Sequence, residues 1–70
     1  MRSVTDAEIN VVLTDVSKRL NIDVSTCDPK LLKCLEVQLI IERGKAMSPR
    51  SNLPHPDVYA AAINEVKAAI

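Results

Sequence analysis

Apolar side chains recur along this chain in three blocks, each with a different pattern. In the first, Ile9, Val12, Leu13, Val16 and Leu20 fall three or four residues apart and share one stripe about 100° wide, which predicts an amphipathic helix over 6–20. Its ends are marked. Thr5 followed by Glu8 reads as a capping box, Val4 and Ile9 are spaced for a hydrophobic staple, and Asp6 and Glu8 suit the positive end of the helix dipole. Lys18 and Arg19 fall in the last turn, and Asn21 suits a left-handed residue just beyond it. Ile22 and Val24 alternate with polar residues in the connector that follows. They are expected to cover one end of a core rather than to form a sheet.

The second block reads as a helix over 29–46, opened by Asp28 as N-cap and Pro29 at the first helical position. At 100° per residue its apolar side chains do not make one face. Leu32, Leu35, Leu39 and Ala46 lie on one side, and Cys34, Val37 and Ile41 lie roughly opposite. Two polar strips divide them, with Gln38, Glu42 and Lys45 on one edge and Lys33, Glu36 and Arg43 on the other. A helix with two apolar sides is buried against something on both. Either it lies between the other two helices, or one stripe packs inside the protomer and the other against another chain. The isolated Gly44 ends the helix or allows a neighbour to come close.

Residues 48–55 cannot be helical. Pro49, Pro54 and Pro56 stiffen them toward extended backbone, and Leu53, their one large apolar residue, is expected to anchor them. The third block then predicts a helix over 57–70, with Val58, Tyr59, Ala62, Ile63, Val66, Ala69 and Ile70 on one face. Ile70 is expected to dock on the core. The fold expected is all-α, a single domain of three helices spanning 1–70 with a proline-rich arm between the second and third.

Composition sharpens this picture through size. A chain of 70 residues with one aromatic side chain buries only about 60% of the surface its unfolded form exposes. Three such helices have more apolar surface than they can hide from one another, and association with a partner is the natural remedy. Nine basic and nine acidic residues cancel, which argues against nucleic-acid binding, since that depends on a basic excess. The distribution is uneven, however. Residues 1–28 carry a net −2, residues 29–56 a net +3 and residues 57–70 a net −1, and no acid lies between Arg43 and Pro56. A basic edge containing Arg43, Lys45, Arg50 and His55 is therefore expected, either as ordinary solvated loop or as a surface that meets an acidic edge on a neighbour. No segment reads as a membrane span or a signal peptide. Two cysteines are a sparse disulfide framework, so Cys27 and Cys34 read as free thiols of a cytoplasmic protein, with Cys34 a small buried hydrophobe.

Candidate chemistry is thin. The single glycine makes no phosphate loop, and Cys27, Cys34 and His55 lack zinc-ligand spacing. A Cys27–His55 nucleophile pair is conceivable on paper, but a lone loop His reads more simply as a solvated residue or a cap for the third helix. Tyr59 reads as core with its hydroxyl at the rim. Asp6, Glu8, Asp28 and Asp57 all sit at helix N-termini, where capping accounts for them. The third helix carries only Lys67 against Asp57 and Glu65, a poor DNA-recognition helix. No catalytic residue, metal site, cofactor or small-molecule substrate is expected.

The order of features resembles small bacteriophage head-to-tail connector (adaptor) proteins. The likeness lies in Val4-Thr5-Asp6-Ala7-Glu8-Ile9 opening a short helix, and in Asp28-Pro29-Lys30-Leu31-Leu32-Lys33 leading into an apolar helix that finishes with Glu42-Arg43-Gly44. After a proline-interrupted arm, Asp57-Val58-Tyr59-Ala60-Ala61-Ala62-Ile63 begins the last helix. The resemblance spans most of the chain and rests on pattern rather than a diagnostic motif; the chain is also shorter than many such adaptors. It implies a ring of identical subunits joining portal to tail, located in the virion or host cytoplasm, with no catalytic residues. The expectation is thus a non-enzymatic interaction subunit that packs against itself or another protein, with a small regulatory protein that inhibits a host or cellular factor as the alternative. The candidate contact residues are Cys34, Val37, Ile41, Arg43, Lys45, Arg50, Leu53, His55 and Tyr59.

Overall fold

The computed structural model describes residues 3–70 and contains three helices: α1 (Asp6–Arg19), α2 (Pro29–Ala46) and α3 (Pro56–Ala69). The local signals form as the chain dictates. At the start of α1, the Thr5 hydroxyl accepts the Glu8 backbone N–H at 3.3 Å, and the Glu8 carboxylate accepts the Thr5 N–H at 3.3 Å. These two bonds satisfy donors that the first helical turn would otherwise leave open. Leu20 caps the other end, and Asn21 takes the left-handed conformation at φ 57°. Asp28 caps α2 by accepting the Lys30 N–H at 2.9 Å. His55 caps α3, its Nδ1 accepting the Asp57 N–H at 3.1 Å.

The core gathers Val12 and Val16 of α1, Leu32, Leu35, Leu39 and Ala46 of α2, and Val58, Tyr59, Ala62, Ile63 and Val66 of α3. Val4, Ile9, Leu13, Leu20 and Ile22 pack around its margin, so the connector after α1 closes one end through Ile22 while Val24 stays half-exposed. The central helix is α3, not α2. α3 packs most extensively on α2 and next on α1, while α1 and α2 touch least. The reason lies in side-chain size. Ala60, Ala61 and Ala62 make the first half of α3 slim, so two helices can approach it from different sides, with Ala60 and Ala61 half-buried and Ala62 wholly buried.

That arrangement corrects three expectations, for Cys34, Leu53 and Ile70. Cys34 is exposed, because it lies on the Val37 side of α2 and α3 covers only the Leu35 and Leu39 side. Glu36 and Glu42, one on each of the polar strips that divide the two stripes, are buried. Leu53 is exposed and does not anchor the arm. The arm is held instead by its own serines: Ser51 Oγ accepts the Leu53 N–H at 3.0 Å, and the Ser51 N–H donates to the Ser48 carbonyl at 3.1 Å. Ile70 follows α3 as its C-cap and is exposed rather than docked.

Candidate interaction surface

The second apolar stripe of α2 faces outward. Val37, Ile40 and Ile41 are 48%, 50% and 47% exposed, whereas Leu39, between them in sequence, is wholly buried. One helix therefore carries a filled inner face and a bare outer one. Cys34 lies on the same outer side one turn before Val37, and Gly44 one turn beyond Ile41, where nothing stands within 4 Å of the position a Cβ would take. At the N-terminal end, Pro29, Lys30, Lys33, Cys34, Val37 and Ile70 line a shallow and almost wholly apolar depression.

Burial also sorts the charges of this helix. Both its acids, Glu36 and Glu42, turn inward, while Lys30, Lys33, Arg43 and Lys45 are exposed. The outer face is thus apolar along its middle, cationic at both ends and free of exposed carboxylates. Arg50 continues the positive character into the arm. α1 has the opposite sign over its first half, where Asp6 and Glu8 are the charged residues. Beside them lies a groove lined by Ala7, Glu8, Val11, Val12, Pro54 and Val58, and Val11 is 65% exposed.

The inward turn of Glu42 creates a polar contact between α1 and α2 that sequence reasoning missed. Arg19 Nη1 donates to Glu42 Oε1 at 2.5 Å, Gln38 Nε2 donates to the same oxygen at 3.1 Å, and Arg19 Nη2 donates to Asp15 Oδ2 at 2.8 Å. Burial pushes the Glu42 carboxyl up, but the hydrogen bonds from Arg19 and Gln38, with the positive charges of Arg19 and Lys45, outweigh it and hold it below the ordinary value. Arg19 is raised, chiefly by its bond to Glu42 and against a desolvation cost. Tyr59 lies beside this group; burial first and the Glu42 charge second push its phenol up, with Arg19 opposing. The other inward acid, Glu36, accepts from Lys33 Nζ at 3.2 Å. A signal for Glu42 was present: Leu35, Leu39, Glu42 and Ala46 follow the i, i+4, i+7, i+11 spacing of one buried stripe.

Of the candidate contact residues, Cys34, Val37, Ile41, Arg43 and Lys45 come together on α2, and Arg50, Leu53 and His55 are exposed along the arm. Tyr59 is core, as its own reading had it, and drops out of the contact candidates: it is 2% exposed within the protomer, because α3 is the central helix. Cys27 and His55 are each engaged locally, Cys27 Sγ against the Ser25 carbonyl at 4.0 Å and His55 in its capping bond. Among the described residues, no group of three His, Cys, Asp or Glu could hold a metal ion, and no helix is long and apolar enough to cross a membrane. No protein-family model, curated protein or solved structure matches this chain.

Proposed function

We propose that this protein is a non-enzymatic assembly subunit that works by packing the outer face of α2 against further copies of itself. The observation that carries the reading is the pairing of Leu39 with Val37, Ile40 and Ile41. The same helix fills the protomer's core with one stripe and leaves a second, equally aliphatic stripe half-exposed, and exposed apolar patches rimmed by polar residues mark interaction sites. The accessible surface supports it: 4787 Å² exceeds the roughly 4,300 Å² expected of a folded monomer of this mass. The occupant is read as a second copy because charge is divided unevenly along the chain itself, net −2 over residues 1–28 against net +3 over residues 29–56. The likeness to head-to-tail connector proteins fits the same reading and makes a viral connector or assembly component its leading specific form.

The test replaces Val37 and Ile41 together by Glu and compares helicity with sedimentation. The expected result is a protomer that keeps its far-ultraviolet circular dichroism while concentration-dependent association disappears. Unfolding of the double variant would return this stripe to the core and overturn the reading. A wild-type chain that stays monomeric at high concentration and co-sediments stoichiometrically with a purified cellular protein would replace self-assembly by the regulatory alternative.

A further inference from the structure

We infer that α1 is a latch on the α2–α3 pair: it opens as a unit while α2 and α3 stay packed on each other, and the Arg19–Glu42 contact is its catch. This concerns the protomer alone and goes beyond the self-assembly reading without resting on it. The helices share the core unevenly. Leu35, Leu39, Val58 and Tyr59, on α2 and α3, are among its largest fully buried side chains, and α1 adds Val16 and the smaller contribution of Val12. Ile9 and Leu13 of α1 are only partly buried at the margin. α2 and α3 also pack on each other more extensively than α1 packs on either. Less apolar surface therefore returns to water when α1 lifts than when α2 and α3 part, and the element with the fewest buried apolar contacts is the one that opens first.

The polar groups of α1 point the same way. Arg19 Nη1 donates to Glu42 Oε1 across the α1–α2 contact, and the Arg19 side chain is 46% exposed, so water competes for this bond from the α1 side. Ser17, on the buried side of the same helix, has a hydroxyl without a hydrogen-bond partner. With α1 closed that group is unmet; with α1 lifted it is hydrated, which favours opening. Val12 lines one groove with Val58, and Leu13 lines another with Leu32, Leu35 and Val66. Opening of the latch thus uncovers a second apolar surface on the α2–α3 pair, separate from the outer face of α2.

Native-state hydrogen exchange on the full chain in dilute solution, resolved by residue and repeated across sub-denaturing urea, tests the latch. After correction for intrinsic rates, the core amides of α1 are expected to exchange at least about tenfold faster than those of α2 and α3, with a shallower dependence on urea because less surface opens. Val37→Gly/Ile41→Gly weakens α2 through helix propensity at positions on its exposed side. It is expected to speed exchange in α2 and α3 several-fold and to leave α1 unchanged, since the closed and the α1-open protomer are weakened equally. Ser17→Ala is expected to slow α1 several-fold. One common opening for all three helices, with α1 accelerated by the glycines as much as α2 and α3, would overturn the latch and make the bundle a single cooperative unit. If the glycine variant does not fold, the wild-type urea dependence decides alone: equal slopes in the three helices overturn the proposal.

Discussion

The buried carboxylate of Glu42 gives the most quantitative test of the fold. Its side chain is 3% exposed and holds Arg19 at 2.5 Å, while Arg19 itself is 46% exposed. Replacing Arg19 by Met keeps the aliphatic stem and removes the cation. Breaking a fully buried pair costs roughly 3–5 kcal/mol, but water reaches the Arg19 side, so the figure falls to about 2 kcal/mol, within the range for a hydrogen bond to a charged group. A domain of this size holds on the order of 5 kcal/mol in total, and each kcal/mol shifts its Tm by about 4–8 °C. Arg19→Met should therefore lower Tm by roughly 10 °C, measured by circular dichroism at fixed protein concentration. In a Glu42→Gln background the same change should cost well under 1 kcal/mol, because Gln keeps the shape and no charge is stranded. The coupling energy expected from the cycle is about 1–2 kcal/mol; additivity within about 0.3 kcal/mol would refute the claim that this pair ties α1 to α2. The pH dependence has a definite sign. The Glu42 carboxyl is lowered from 4.5, so its contribution is complete above that value and is lost as pH falls through the lower folded-state value, where the unfolded chain has already taken up the proton. Acid titration of stability below about pH 4.5 should be visibly shallower in Glu42→Gln.

Two further predictions separate the faces and the defects of the bundle. Leu39→Ala, at a wholly buried position, should cost about 3 kcal/mol, whereas Ile41→Ala two residues on should stay within about 0.5 kcal/mol in dilute solution; similar losses for both in chemical denaturation would mean that the outer stripe is core. Ser17 is 2% exposed and its hydroxyl has no hydrogen-bond partner. Ser17→Ala should therefore raise Tm by several degrees through relief of an unmet polar group of about 1 kcal/mol and better helix propensity, and a drop in Tm would show that the hydroxyl has a partner.

What could be read in advance divides by distance along the chain. The caps at Thr5, Asp28 and His55 and the left-handed Asn21 were legible because each depends on side chains within three residues of the backbone they satisfy. The two stripes of α2 were equally legible, since they follow from periodicity alone. Which neighbour covers which stripe was not, because that depends on α3 being slim at Ala60, Ala61 and Ala62 and so becoming the central helix. Cys34 was misjudged by the apolar character of its neighbours rather than by its angle on the helix. The pairing of Glu42 was not legible, because its partner Arg19 lies 23 residues away, beyond any local signal, although its spacing from Leu35 and Leu39 already put it toward the inner side.

The two cysteines provide the most direct measurement of the outer face of α2. Both thiols are exposed in the protomer, but Cys34 lies beside Val37 on the surface assigned to assembly and Cys27 lies in the connector before the helix. Labelling with a thiol reagent, resolved by residue and followed from nanomolar to high micromolar protein, should leave Cys27 unchanged and slow Cys34 several-fold as association sets in. Equal and constant rates for the two residues across that range would mean that nothing covers the α2 face, and the assembly account would be wrong.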